Sequence, residues 1–398
     1  MLRIDQIRLL PGDSEALLPV KCARILRLPA EDIVSCAVLR RAIDAREGLT
    51  LVYTAAVEVK QEDTVLRRCR DKRVSRYAPE TYALPAAVPA PEIPPIVVGA
   101  GPAGLFAALV LARCGARPIV LERGRPVEQR QADVERFWSG GALDTESNVQ
   151  FGEGGAGAFS DGKLNTGTRD VRHRFIMETL VRCGAPESIL TDAKPHVGTD
   201  MLHIALRKLR QELTAAGADI RFGARLESLR TKDGALLVNV TAEDFPSPHP
   251  LAGIALQRQV EEAAFALGGG DYRAPCQRVE DFLRGAPSTG AGRVMPSYRP
   301  GVVYTDMARC LPPFIAETLR LALPVLGKKL KGYDDPDALL TGVETRSSSP
   351  VRLVRDDRYE ANIRGIYPCG EGAGYAGGIL SAAADGMRCA EKLLEVCK

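Results

Sequence analysis

Gly99, Gly101 and Gly104, in the run Ile96-Val97-Val98-Gly99-Ala100-Gly101-Pro102-Ala103-Gly104, have the spacing of a phosphate-cradling turn. Each glycine has its own physical task. Gly99 permits the tight turn out of a short apolar strand. Gly101 lacks the Cβ that would hold a pyrophosphate off the backbone. Gly104 lets the following helix pack close to the sheet. That helix opens at Pro102 and Ala103, and its N-terminus and dipole face the phosphates. A second apolar strand, 118–121, ends on Glu122, 23 positions after Gly99, where an acid can hold an adenosine ribose. Arg123 and Arg130 follow as phosphate partners, because guanidinium presents paired donors to phosphate oxygens; surface ion pairing is the alternative for each.

A second glycine-rich stretch runs from Ser147 to Leu164, with five glycines between Gly152 and Gly162. So many glycines favour neither helix nor strand. They suit a loop lying flat against a ligand such as an isoalloxazine ring, with Gly154 and Gly155 at the contact. Glu153, Asp161 and Lys163 then fall near the reactive face; a mobile surface loop is the alternative. Near the C-terminus, 365–374 reads as a short strand entering a glycine turn at Gly370 and Glu371. Gly378 and Ile379 open a final helix, whose N-terminus would stabilise a developing anion. In flavoproteins with two dinucleotide folds a strand-Gly-acid step of this kind holds the ribityl chain and pyrophosphate; Glu371 stands where Asp is usual. Nucleotide signatures at both ends of the chain favour FAD, both halves of which must be held, over NAD.

The elements that must position these residues divide the chain. Residues 1–76 read as a small α+β module, with a strand over 2–10, a helix from Ser14 to Leu28, strands over 32–41 and 50–59, and a helix over 62–69. Recurrent prolines make 77–95 a semi-rigid linker. Residues 96–234 and 335–398 are assigned to an FAD-binding Rossmann-like domain with a parallel sheet, giving an α/β fold class. Within it a long helix runs from Gly198 to about Ala216, and a strand over 219–227 brings Leu226 near the adenine. Residues 235–334, read as short strands and glycine- and proline-rich loops with a helix over about 305–323 broken at Pro312-Pro313, are assigned to a truncated cap or substrate domain.

The bulk properties limit the function classes. A net charge of +3 gives no strong pull toward nucleic acid or membrane. Arg3, Asp5 and Arg8 interrupt any signal-peptide core, and no run of about 18 apolar residues spans a bilayer. The ten cysteines include no CxxC pair, so neither a zinc site nor a dithiol relay is indicated; reduced thiols in the cytoplasm are expected. The basic run Arg67–Arg76 admits an RNA-associated reading, a solvated helix face being the usual meaning. Of the four histidines, His196 is the best placed for acid chemistry, with a structural role the alternative.

Ser147–Leu164, the segment 342–352 with Glu344, Arg346 and Arg352, and Gly370–Gly386 together resemble the uncharacterised FAD-dependent dehydrogenase family of the glutathione-reductase-like superfamily. The resemblance covers nearly the whole chain. It implies FAD held through Gly99, Gly101, Gly104, Glu122, Gly370 and Glu371, with NAD(P)H as a candidate electron donor, and supplies no substrate. Glu344, Arg346 and Arg352 become candidates for lining the flavin edge, a buried ion-pair network being the alternative; two arginines there favour an anionic substrate. The chain departs from the family at Gly234-Ala235, where the return strand and much of the cap are missing. The expected function is FAD-dependent oxidation or reduction of a small molecule or redox partner, with a flavin-binding protein lacking turnover as the rival. No side-chain acid or base, and no oligomeric state, follows from the sequence.

Overall fold

A computed structural model describes the chain except residues 47, 161, 165, 167, 227–248, 250, 330, 331, 333, 344–348 and 398. The described residues fall into two compact units. The first comprises Met1–Arg123, Val149–Leu226 and Gly378–Lys398; the second comprises Gly124–Asn148 and Glu227–Gly377.

The first unit begins with a β-α-β-β-α-β run: β1 (Leu2–Leu9), α1 (Leu18–Leu26), β2 (Ile33–Asp44), β3 (Thr50–Val59), α2 (Glu62–Arg68) and β4 (Val74–Arg76). The strands pair antiparallel in the order β2-β3-β1-β4, the ferredoxin-like arrangement. In β1 the apolar residues stand at 2, 4, 7 and 9, one residue out of strict alternation. A bulge between Ile4 and Ile7, with Gln6 left-handed at φ +59°, absorbs the extra residue. All four apolar side chains are therefore buried, in a core shared with Leu18, Cys22, Leu26 and Tyr53. Ser14 caps not α1 itself but a 3-10 turn before it, accepting from the Ala16 amide.

The second layer of this unit is a parallel sheet, β5 (Ile96–Val98), β6 (Ile119–Glu122) and β7 (Asp219–Phe222), in the order β5-β6-β7. The helices packed with it include α3 (Pro102–Arg113), α5 (Val171–Arg182), α6 (Thr199–Ala215) and the C-terminal α10 (Ile379–Val396), α4 (Val127–Trp138) belonging to the second unit. α3 buries nearly every residue from Gly104 to Ala112, as its uniformly apolar sequence requires. The proline-rich stretch is docked rather than extended into solvent. The Val88 amide donates to Cys114 O, and Val88 O lies so close to Gly115 that a Cβ there would sit 2.7 Å away. Among the described residues β5 has a partner on one side only, and Ile96 and Val98 are 62% and 56% exposed.

The second unit holds α4, α7 (Ala252–Leu267), β8 (Ala274–Arg278), α8 (Val279–Arg284), β9 (Val302–Tyr304), α9 (Pro313–Lys329) and β10 (Leu339–Thr341). Its sheet has the order β10-β8-β9 and packs on a core of Ala264, Val279, Phe282, Met307 and Cys310. Two sequence expectations are corrected here. Residues 252–267, read as loops and short strands, form a 16-residue helix. The strand expected over 365–369 is not formed; those residues are irregular. The break at Pro312-Pro313 is where expected, separating a 3-10 turn at Met307–Arg309 from α9. The chain closes with α10 (Ile379–Val396), in the first unit, and no described helix is long and apolar enough to cross a membrane.

Candidate functional site

In the glycine turn that leads into α3 each glycine is fixed by a different constraint. Gly99 adopts φ +95°, the left-handed backbone that a side chain rarely tolerates, and its amide donates to Leu121 O at 2.7 Å. A Cβ on Gly104 would stand 1.9 Å from Gly99 O and 3.3 Å from Val97 Cγ1, so this glycine is fixed by packing between helix and strand. Gly101 is different: a Cβ there meets nothing nearer than Gly155 Cα at 3.9 Å. Its missing side chain leaves room in front of the loop, which is what close approach of a pyrophosphate needs. Glu122 ends β6 with its side chain 5% exposed, and its Oε2 accepts from the Ala100 amide at 2.7 Å. The acid is thus locked to the turn it serves.

The Gly152–Leu164 loop folds back onto that turn. The Gly154 amide donates to Ala100 O at 2.8 Å, and a Cβ on Gly155 would lie 3.4 Å from Gly101 Cα and 3.6 Å from Pro102 Cδ. Gly152, Gly154 and Gly155 have φ of +126°, +86° and +62°. The next turn, Ala156–Phe159, lies against the start of α10, since a Cβ on Gly157 would be 3.1 Å from Ile379 Cγ1. Gly378, at φ +95°, caps that helix. Further along α10, Gly386 lets the backbone of α3 approach: a Cβ there would stand 2.1 Å from Ala103 O. Three stretches distant in sequence, at about 100, 155 and 379, therefore meet inside one unit.

Helix α6 supplies anchors that sequence reading overlooked. His203, 8% exposed, makes a 2.8 Å hydrogen bond from Nε2 to Ala158 O and packs edge-on against Phe159 at 5.0 Å. A carbonyl only accepts, so Nε2 carries the proton. Arg210 Nη1 pairs with Glu153 Oε2 at 2.9 Å, and Glu153 is 1% exposed. Glu153, expected beside a reactive face, is thus engaged as an ion-paired loop anchor. The available signal was the spacing of polar His203 and Arg210, two helical turns apart along an otherwise apolar face of α6. Replacing His203 by Ala removes one hydrogen bond worth about 1 kcal/mol, so flavin affinity is expected to fall roughly five- to tenfold with secondary structure intact. Equilibrium dialysis against FAD checks this.

The remaining sequence candidates lie as follows. Arg123 stacks on Phe151 with its guanidinium carbon 3.8 Å from the ring centroid. Lys163 is exposed and its backbone pairs with His196, itself exposed. Leu226, 45% exposed, follows β7. Asp161, Glu344 and Arg346 lie outside the described residues. In the second unit Arg130 is fully buried and its Nε donates to Asn148 O at 2.8 Å. Gly370, at φ +72°, and exposed Glu371 form a turn closed by Tyr375 N to Gly370 O at 3.0 Å and Gly374 N to Glu371 O at 2.9 Å. Arg352 donates to Gly374 O, and Arg355 covers the Tyr375 ring at 3.5 Å.

Comparison with known proteins gives three matching families and a relative. Residues 95–161 match an FAD binding domain, residues 227–347 match the C-terminal domain-like region of FAD-dependent proteins, and residues 1–60 match a domain of unknown function. An uncharacterized protein of Clostridium beijerinckii is 34% identical over 525 aligned positions, which take in 99% of this chain and 98% of that protein.

Proposed function

This chain belongs to one family with the uncharacterized clostridial protein and matches an FAD binding domain and the C-terminal domain-like region of FAD-dependent proteins; on that premise we propose that it is a flavin-dependent oxidoreductase acting on a small molecule or redox partner. The observation that carries the reading is the convergence of Gly101, Gly155 and the Gly157–Ile379 contact within one unit. When bound, the flavin supplies hydride transfer at N5 between a reduced substrate, or a nicotinamide, and an acceptor. The protein's part is to bind and orient. The N-terminus of α3 offers its dipole and backbone to the pyrophosphate, and Gly101 keeps that approach open. Glu122 stands at the end of β6, suited to a ribose. Gly155 gives the loop an open backbone face, Gly154 beside it packing under Leu206 of α6, and the loop is held in place by His203 and Arg210. Gly370 and Glu371 are suited to the ribityl end, and the charge of Arg352 supports an anionic substrate.

The experiment is an absorbance spectrum of purified protein, with mass spectrometry of what denaturation releases. FAD is expected, with its visible band bleached by NADH or NADPH on a millisecond-to-second scale in stopped flow, as ordinary turnover requires (roughly 1–1,000 per second). Protein that stays colourless after incubation with FAD overturns the proposal.

One observation favours a second reading, a flavin-binding protein without turnover. The strand that leads into the nucleotide turn is normally central in such sheets and buried on both faces. Here Ile96 and Val98 are largely exposed and β5 has one partner among the described residues. The alignment with the clostridial relative spans more positions than the 398 residues of this chain. Both support a return strand and part of a cap lost at about Gly234-Ala235. Bound FAD that is bleached by dithionite but by neither nicotinamide would decide for this reading.

A further inference from the structure

We propose that the N-terminal sheet carries a second, separate ligand site, which takes a nucleoside phosphate. The site is a cleft of about 590 Å³ between α1, the bulged part of β1 and the start of β4. That volume lies within the range of small-molecule sites, about 300–1,000 Å³. Its walls are cationic: Lys21 and Arg24 project from α1, Arg8 from β1, and Arg73 stands just before β4. Arg8 is 3.6 Å from Asp44, and Arg73 is paired with Asp71 at 2.7 Å. Among the described residues Lys21 and Arg24 have no carboxylate partner; the Lys21 ammonium donates to Arg8 O. The cleft therefore holds two positive charges beyond those its neighbours neutralise.

The lining is not uniformly charged. Half-buried Ile25 gives it an apolar side, while Ile7, also at its lining, is 1% exposed and belongs to the core. The bulge at Gln6 shapes the cleft, because the left-handed residue turns the backbone where strict pleating would run on. Three guanidinium groups and an ammonium lining one space favour a phosphate, whose several oxygens accept from such donors. An apolar flank beside the phosphate suits a base. Of the basic run Arg67–Arg76, Arg73 alone lines the cleft. Arg67 is turned to Asp63 O, and Arg76 pairs with Asp63. Three of the run's six cations, Arg67, Arg73 and Arg76, are thus engaged by the protein itself, which favours a small nucleotide over an RNA strand.

This inference does not depend on the flavin reading, and the test separates the two. Full-length protein, saturated with FAD so that its dinucleotide site is filled, is titrated with ADP by calorimetry. Its flavin content is read independently by absorbance. One ADP is expected to bind, with affinity reduced at least tenfold by Arg24→Glu and by Lys21→Glu while flavin content stays unchanged. The milder Arg24→Gln variant, expected to lose about fivefold, guards against misfolding of the charge reversals. ADP affinity unchanged in Arg24→Gln and Lys21→Glu overturns the site. Inorganic pyrophosphate that binds as tightly as ADP overturns the nucleoside part. An RNA oligonucleotide that displaces ADP and binds more tightly, with a steep salt dependence, overturns the small-ligand assignment.

Discussion

Gly101→Ala is expected to abolish flavin retention while leaving the melting temperature of the flavin-free protein nearly unchanged, whereas Gly104→Ala loses both. The two glycines are three residues apart and differ in what surrounds them. At Gly101 an added methyl finds open space, with Gly155 Cα 3.9 Å off. Nothing in the fold has to move, but the methyl occupies the approach that a pyrophosphate needs. At Gly104 the same methyl lands 1.9 Å from Gly99 O, a distance no real contact reaches, with Gly99 C at 3.0 Å and Val97 Cγ1 at 3.3 Å also in the way. The partner is backbone in the middle of the turn, so helix α3 must lift from the sheet. Overpacking of that kind costs about 1–3 kcal/mol, and here the upper end is expected because flexible side chains cannot absorb it. Lifting α3 also carries Ala103 away from Gly386 and loosens α10. Thermal melts of both variants with and without FAD, and flavin content by absorbance, check the pair. Equal loss of stability in both would show that Gly101, too, is held by packing.

Much of this site was legible in the sequence because the constraints are local. A glycine triplet after three apolar residues can be read within nine positions, and the acid at Glu122 within 23. The strands of the N-terminal sheet were legible for the same reason: 50–59 alternates, and β3 has those limits. What escaped reading was set by distant partners. Glu153 sits among five glycines, and only its ion pair with Arg210, 57 residues on, removes it from the exposed loop face. His203 was passed over for His196 because burial under Phe159 is a tertiary fact. The helix over 252–267 is weakly marked in sequence, because glycines and prolines flank it and the repeat of Ala252, Val260 and Ala264 on its buried face is sparse. The strand expected over 365–369 has the apolar residues of a strand, Ile366 and Tyr367. A strand, though, is defined by its neighbour, and those residues have no ladder partner among the described residues.

The tether between α5 and α10 yields the second large effect, and it depends on pH. Asp170 caps α5, accepting from the Arg172 amide at 2.9 Å, and is also paired with the guanidinium groups of Arg172 and Arg388. Arg172 in turn is held bidentate by Glu391 of α10, which accepts from Tyr82 Oη at 2.8 Å. The Asp170 side chain is 4% exposed. Burial pushes its carboxyl up, but the Arg172 amide and guanidinium and the Arg388 guanidinium outweigh burial and hold it below the usual carboxylate range. The hydrogen bonds that Arg172 donates to Glu391 chiefly hold its guanidinium above its ordinary value, against the opposing effect of burial. A carboxyl with a depressed native pKa contributes stability that is complete above its unfolded value, about 3.9, and is lost as pH falls through the native one. Glu391→Ala leaves Arg172 with Asp170 as its remaining carboxylate and the Tyr82 hydroxyl without its acceptor, in a largely enclosed place. About 2–3 kcal/mol of destabilisation is expected at pH near 7, below the 3–5 kcal/mol of a fully buried pair because Glu391 is 18% exposed. Asp170→Asn is expected to destabilise near pH 7, and the wild-type and variant urea midpoints are expected to converge as the pH falls below the usual carboxylate range. Midpoints that stay equally far apart as the acid is titrated would show that the loss does not come from the charge of the carboxylate, since Asn caps a helix as well as Asp does.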